Sequence, residues 1–304
     1  MLSVKNLSKS YNKLNIFKNI DLEINDGEIV SLVGESGSGK STLLKCISGL
    51  IDFECGNVFI NSENITKTPT YKRNIGYVFQ DSPLLPHLTS IENILINIKK
   101  FDTQKLNFLL KRLQIIDLKN RFPYQLSGGE SQRIAVARSL IREPDLFLLD
   151  EPFSNLDFFN KNATKEIVYD TIKKIKTTTI FVSHDINDSL EISDRVIAIE
   201  KNKKKLIIDT PLKIYNDLSN LEVSKIFGYV NTINTGTNII NCRPENIKIV
   251  DKSNIQLTTI KSNFSGPCYK IIAKDIDSNM IYLNSQKYIE SNKKIFLKID
   301  LYNN

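Results

Sequence analysis

At 304 residues, 41% of them hydrophobic and 25% charged, the chain has room for one large domain and a small one, each with its own core. No run approaches the ~18 apolar residues of a membrane span, and the N-terminus lacks a signal peptide's charged and apolar segments. The expectation is therefore a cytoplasmic chain, attached to a membrane only through a partner. The net charge of +7 reads as solvated surface, since Lys, Asn and Ile are abundant throughout. Lys201–Lys205 reads as a turn between strands and lacks the aromatic interleaving of a nucleic-acid face, so no nucleic acid is expected. Cys46, Cys55, Cys242 and Cys268 show no paired spacing, which argues against disulfides and metal.

Leu2–Leu7, Ile20–Ile24 and Asn57–Ile60 read as strands of an N-terminal β-rich layer. Glu28–Val33 is a short apolar run, a buried strand, and Thr42–Ser48 reads as a helix. Between them Gly34, Glu35, Ser36, Gly37, Ser38, Gly39, Lys40 and Ser41 spell G-x-x-x-x-G-K-S, a phosphate loop in its strand-loop-helix context. The glycines free the backbone to turn consecutive N–H groups toward phosphate oxygens. The helix N-terminus adds its partial positive charge. Lys40 is expected to reach the β- and γ-phosphates, Ser41 to ligate Mg²⁺, and Thr42 to contribute on the α-phosphate side.

Ile75–Gln80 reads as a strand closed by Gln80, whose amide can accept from a Mg²⁺-bound water and orient the nucleophile. Residues 81–89 hold two prolines and three leucines, a stiffened apolar loop. From His87 to about Pro144 the pattern is helical, with Leu106, Leu109, Leu110 and Leu113 on one amphipathic face. Within it Leu126–Glu130 reads L-S-G-G-E, a glycine-opened start to a helix over Glu130–Ile141 and a second phosphate-binding device. Ser127 can donate its hydroxyl there, while Gly128 and Gly129 expose backbone N–H groups.

Asp145–Pro152 is an apolar strand ending in two carboxylates that alternation sends opposite ways. Asp150 is expected to hold Mg²⁺ directly or through its water, and Glu151 to polarise the attacking water. A strand over 178–183 is followed by His184, and another spans 195–199. Open parallel sheets bind ligands at the carboxyl ends of their strands, where Gly34, Gln80, Asp150 and His184 converge. Two phosphate devices with one carboxylate cluster point to ATP held between two copies of the chain. After Phe227–Gly228 the texture changes. Short β-like runs at Ile239–Ile240, Ile247–Val250, Ile255–Thr259, Tyr269–Ala273, Met280–Leu283 and Ile295–Ile299, separated by turns, predict a small barrel.

In this order the motifs resemble those of the ATP-binding subunits of ABC transporters, over roughly residues 1–225. Gly34–Ser41 is similar to the Walker A motif, Phe147–Asp150 to Walker B, Gln80 to the Q-loop, Leu126–Glu130 to the signature and His184 to the switch histidine. Ser154–Asp157 resembles the D-loop, and Tyr11 falls where the family stacks an aromatic on adenine. Glu130 and Asn155 depart from the commoner Gln and Ala. The resemblance implies a P-loop NTPase of α/β class over residues 1–230. Its parallel RecA-like sheet would carry an N-terminal antiparallel β layer and a helical subdomain over about 87–144.

Residues 231–304 would form an OB- or TOBE-like β-barrel, since Cys242–Ile247 resembles the Arg-Pro-Glu segment of importer ATPases. The resemblance further implies ATP and Mg²⁺ as cofactors and a homodimer whose signature caps the partner's γ-phosphate. It implies docking beneath transmembrane permease subunits on the inner face of the membrane, with the 81–89 loop in the docking groove. Through the permease a periplasmic solute-binding protein would deliver ferric iron or, second, polyamine. A non-transport ATPase of the same superfamily usually carries two cassettes or a long coiled coil, absent here, and an exporter ATPase would not be expected to carry the barrel.

Overall fold

The computed structural model describes residues 1–11, 14–81, 83–183, 185–200, 205–235 and 238–300. The Lys201–Lys205 turn therefore lies almost wholly outside the described residues. The chain forms two compact units, Met1–Ile214 and Tyr215–Asn304.

The first unit runs β1 (Leu2–Tyr11), β2 (Leu14–Ile24), β3 (Ile29–Val33), α1 (Lys40–Ser48), β4 (Cys55–Ile60), β5 (Glu63–Asn64), β6 (Ile75–Val78), α2 (Ser90–Ile94) and α3 (Thr103–Arg112). It continues through α4 (Gly128–Leu140), β7 (Leu146–Asp150), α5 (Phe158–Ile175), β8 (Thr179–Val182), α6 (Ile186–Ile192), β9 (Arg195–Glu200) and β10 (Lys205–Asp209). Two sheets result. One is antiparallel, in the order β2-β1-β4-β5; the other has six strands in the order β10-β9-β3-β8-β7-β6. All pairs of the second are parallel except the β10 edge.

The inner strands β3, β7, β8 and β9 of this larger sheet are buried on both faces, which is why they read as continuous apolar runs rather than alternating ones. Phe147 and Leu149 of β7 join a core with the helices α2 to α5. Leu146 and Leu148 face the other way, into a core shared with α1 and the antiparallel sheet. Neither core wastes a strand position. The arrangement aligns the C-terminal ends of β3, β6 and β7, where the loops bearing Gly34, Gln80 and Glu151 begin.

Among the described residues the second unit holds the end of α7 (Pro211–Asn216), α8 (Leu221–Ile226) and seven strands. These are β11 (Asn231–Asn234), β12 (Ile239–Cys242), β13 (Ile247–Val250), β14 (Ile255–Phe264), β15 (Tyr269–Lys274), β16 (Met280–Ser285) and β17 (Lys294–Ile299). Five of them form an antiparallel sheet in the order β13-β17-β14-β15-β16. β14 pairs with β17 through Thr258 and with β15 from there on, and its register slips between Thr259 and Lys261. A bulge of this kind bends a strand, and here it curls the sheet around Ile233, Leu257, Ile271, Leu283 and Leu297. The β11–β12 hairpin is tied on by Asn231, whose side chain bonds both the carbonyl and the N–H of Tyr282. The two short helices α7 and α8 precede the boundary expected at residue 230, whereas the compact units meet within α7.

Candidate nucleotide site

Gly37 and Gly39 sit at φ +77° and +97°, in left-handed backbone that favours glycine. Space decides Gly39 a second time, because a Cβ there would lie 2.6 Å from Ile16 Cγ2. α1 begins at Lys40 rather than Thr42, so Lys40 and Ser41 belong to its first turn. Lys40 is buried and folds back over the loop, its Nζ donating to the carbonyls of Gly34 and Glu35 at 2.9 and 3.0 Å. Burial pulls its pKa below the ordinary lysine value, and the negative charges of Glu151 and Asp150 oppose that pull. Ser38 is buried with no hydrogen-bond partner for its hydroxyl. An orphaned donor in a glycine cradle is what an oxyanion would satisfy.

Asp150, buried at the end of β7, joins the loop to the sheet. The Ser41 hydroxyl donates to its Oδ1 at 2.8 Å and the Tyr77 hydroxyl to its Oδ2 at 3.0 Å. Tyr77, on β6, was not singled out in the sequence, where it is one residue of the Ile75–Gln80 strand; the pairing of β6 with β7 brings it to Asp150. Burial, then the Asp150 charge and hydrogen bond, push its phenol far above the ordinary value.

Glu151 follows in left-handed backbone, φ +51°, a conformation uncommon for a non-glycine residue. Its N–H donates to the Val182 carbonyl, and its own carbonyl accepts from the N–H and the hydroxyl of Ser154. The turn is pinned on both sides, which is how strained backbone persists at working sites.

Ser127 is the N-cap of α4, accepting from Glu130 N–H while the Glu130 carboxylate accepts from Ser127 N–H at 2.7 Å, a reciprocal capping box. The helix thus starts at Gly128, two residues before the expected Glu130. Gly129 has no room for a side chain, since a Cβ would meet Thr164 Oγ1 at 2.6 Å. The Glu130 carboxylate is also turned toward Arg121, at 3.9 Å.

Residues 17–154 match the model of the ABC transporter family. Over 98% of its length the chain is 33% identical to the Fe(3+) ions import ATP-binding protein FbpC of Fusobacterium nucleatum, covering 81% of that protein. It is 33% identical to the spermidine/putrescine import ATP-binding protein PotA of Clostridium novyi, over 94% of this chain and 92% of that one. The sulfate/thiosulfate import ATP-binding protein CysA of Mesostigma viride is 37% identical over 78% of this chain and 70% of its own.

The chain belongs to the ATP-binding subunits of ABC transporters.

A solved relative, the ATP-binding cassette MJ0796 in a dimeric post-hydrolysis state bound to ADP and Pi, is 29% identical. It superposes with a TM-score of 0.60 over 69% of this chain and 99% of that one. The present chain is an ABC ATPase of importer type that binds and hydrolyses ATP.

Gln80 is exposed, two residues past the end of β6 at Val78 rather than closing the strand. Tyr11 is half exposed at the end of β1, with Lys9 Nζ 4.7 Å from its ring centroid. Thr42 follows Ser41 in the first turn of α1. His184 lies outside the described residues. Asn155 donates to Asp81 Oδ1 at 2.6 Å, tying the segment after β7 to the one after β6.

Among the described residues no group of three or more His, Cys, Asp or Glu could hold a metal. The donor set at the loop is one hydroxyl and one carboxylate, Ser41 and Asp150. This suits Mg²⁺, a hard ion that keeps water and takes phosphate oxygens rather than an all-protein cage.

Proposed function

We propose that the chain is the energising subunit of a binding-protein-dependent importer, hydrolysing Mg-ATP between two copies of itself. The observation that carries this reading is the Ser41–Asp150 hydrogen bond, which joins the phosphate loop to the carboxylate strand end. Ser41 and Asp150 would hold Mg²⁺, which neutralises β- and γ-phosphate charge when bound. Gly34, Glu35, Ser36, Gly37, Ser38 and Gly39 would cradle the phosphates, with Thr42 on the α-phosphate side and Tyr11 against adenine. Lys40 would exchange its two carbonyl partners for phosphate oxygens. Glu151 would orient the attacking water, assisted by Gln80 and His184, while Ser127, Gly128 and Gly129 of the second copy would close over the γ-phosphate. Residues 1–230 would form the ATPase domain, with its helical subdomain at about 87–144, and residues 231–304 a TOBE-like barrel.

Support for a permease partner comes from a cleft of about 940 Å³ in the first unit, between the segment 70–79 and the residues 96–102 and 138–144. Phe79, Tyr71 and Phe101 line it, each with substantial exposed area, and Lys72, Lys99 and Lys100 rim it. An apolar helix with acidic ends fits such a cleft. None of the described residues of the 81–89 loop lines it, though Arg138 of the cleft donates to the Pro83 carbonyl, and Asn93 staples the loop through Leu85, Leu88 and Thr89. No described helix is long and apolar enough to cross a membrane, so the proposed place is the inner membrane face beneath the permease.

Ferric iron is the first proposed cargo and polyamine the second, following the relatives above. The deciding measurement pairs Glu151→Gln with transport. The variant should bind ATP and dimerise with turnover reduced at least about a hundredfold. A strain lacking the gene should lose uptake of one cargo and regain it with the wild-type chain only. Normal turnover by the variant would remove Glu151 from its role.

A further inference from the structure

The second unit contains a cleft that ATP chemistry does not use. It measures about 290 Å³, at the small end of ligand pockets, about 300–1,000 Å³. Its walls are largely apolar, with Phe227, Tyr229, Pro244, Ile272, Tyr282 and Leu283 among them. Tyr229 stacks on Tyr282 at 4.3 Å between ring centroids.

Arg243 forms one wall and is 3% exposed. Its guanidinium lies over the Tyr215 ring at 4.0 Å, and Nε and Nη2 donate to the carbonyls of Tyr215 and Ser224. Nη1 has no partner. A buried guanidinium remains charged, and leaving one of its donors unmet is costly. Across the cleft the strand register sets Asn263 opposite Lys270 and Lys270 opposite Asn284, one polar row over β14, β15 and β16. Glu245 also lines the cleft, its carboxylate accepting from the Tyr215 hydroxyl. Two cations against one carboxylate leave a single positive charge, which selects a monoanion over a dianion. Apolar walls with a cationic end select a ligand with an apolar body and a charged head.

We propose that this cleft binds a small monocarboxylate with an apolar body, its head between Arg243 Nη1 and Lys270. The ligand gives the orphaned N–H its acceptor, and the aromatic wall takes the body. The site lies wholly within the second unit, and its occupancy does not depend on the identity of the transported solute.

Methyl NMR of the full chain tests this with three probes: sodium benzoate, sodium sulfate and benzylamine. Benzoate in the millimolar range should shift the Ile271, Ile272 and Leu283 methyls, sulfate should do so more weakly, and benzylamine should leave them in place. Arg243→Lys should weaken benzoate about tenfold, the loss expected for one charge-assisted bond. In case that substitution unfolds the barrel, Lys270→Gln on the exposed row should weaken it in the same direction with an unchanged unfolding midpoint. Absence of benzoate shifts overturns the site, an equal response to benzylamine overturns its charge, and an equal response to sulfate overturns its apolar body. Undiminished affinity in Lys270→Gln removes the polar row from it.

Discussion

Asp150 is a buried carboxylate satisfied by two hydroxyls, Ser41 on one oxygen and Tyr77 on the other. Bound Mg²⁺ would draw on the whole Asp150 carboxylate and so take over part of what the Tyr77 hydroxyl supplies in the nucleotide-free chain. Tyr77→Phe should therefore lower the stability of the nucleotide-free chain by about 1–3 kcal/mol, the cost of stripping a donor from a buried acceptor. Urea unfolding with and without Mg-ATP checks this. The variant's deficit should shrink when Mg-ATP is present, and equal deficits would mean the metal does not draw on Asp150. The pH dependence has a definite sign. The Tyr77 phenol is pushed above its ordinary value of about 10, so above that pH the unfolded chain loses the proton and the native one keeps it. Stability then falls as pH rises, and Tyr77→Phe should flatten that fall. Glycine, lysine and serine at fixed spacing made the phosphate loop legible from the residues alone. Tyr77 was not, because a tyrosine inside a strand looks like core packing until its neighbouring strand is known. The left-handed turn at Glu151 was equally hidden, since nothing in its side chain demands that backbone.

The helix α4 has two tasks for its N-cap. Ser127 accepts from Glu130 N–H as a cap, and its hydroxyl proton stays available to donate to phosphate. Substitution can separate the two tasks. Ser127→Ala should lose the cap, costing about 1 kcal/mol, and also the phosphate contact. Ser127→Asp should keep the cap and hold the thermal midpoint near wild type, yet abolish ATP-dependent dimerisation by placing a carboxylate where the γ-phosphate would dock. Calorimetry and size-exclusion chromatography with ATP read the two effects apart. A Ser127→Asp chain that dimerised normally would detach Ser127 from the nucleotide. The sequence located this helix through its glycines but started it two residues late, because glycine pairs read as loop until the capping box is recognised. The same bias toward side-chain pattern shortened β2, seen in the sequence only over Ile20–Ile24. Its first half, Leu14–Asn19, is mostly exposed and gives no clean alternation, so hydrogen bonding to β1 rather than apolar pattern extends it.

At the scale of the whole molecule, two thiols report on the two units separately. Cys46 is fully buried among the residues around α1, and Cys242 is fully buried in the barrel core. Burial pushes the first up to about 12 and the second to about 11. Only the thiolate attacks an alkylating reagent, so near neutral pH both should stay unlabelled in the native chain while the exposed Cys55 reacts first. Denaturant then tests the division between Ile214 and Tyr215. Among the described residues the second unit has one small core and the first two larger ones, and a smaller domain buries a smaller share of its surface. Pulsed maleimide labelling across a urea series, read by mass spectrometry of the Cys46 and Cys242 peptides, should therefore show Cys242 reacting at lower urea than Cys46. A gap between the two midpoints requires that the barrel opens while the ATPase core stays closed. Coincident midpoints would instead make the chain one cooperative unit, and the boundary inside α7 would then have no energetic meaning.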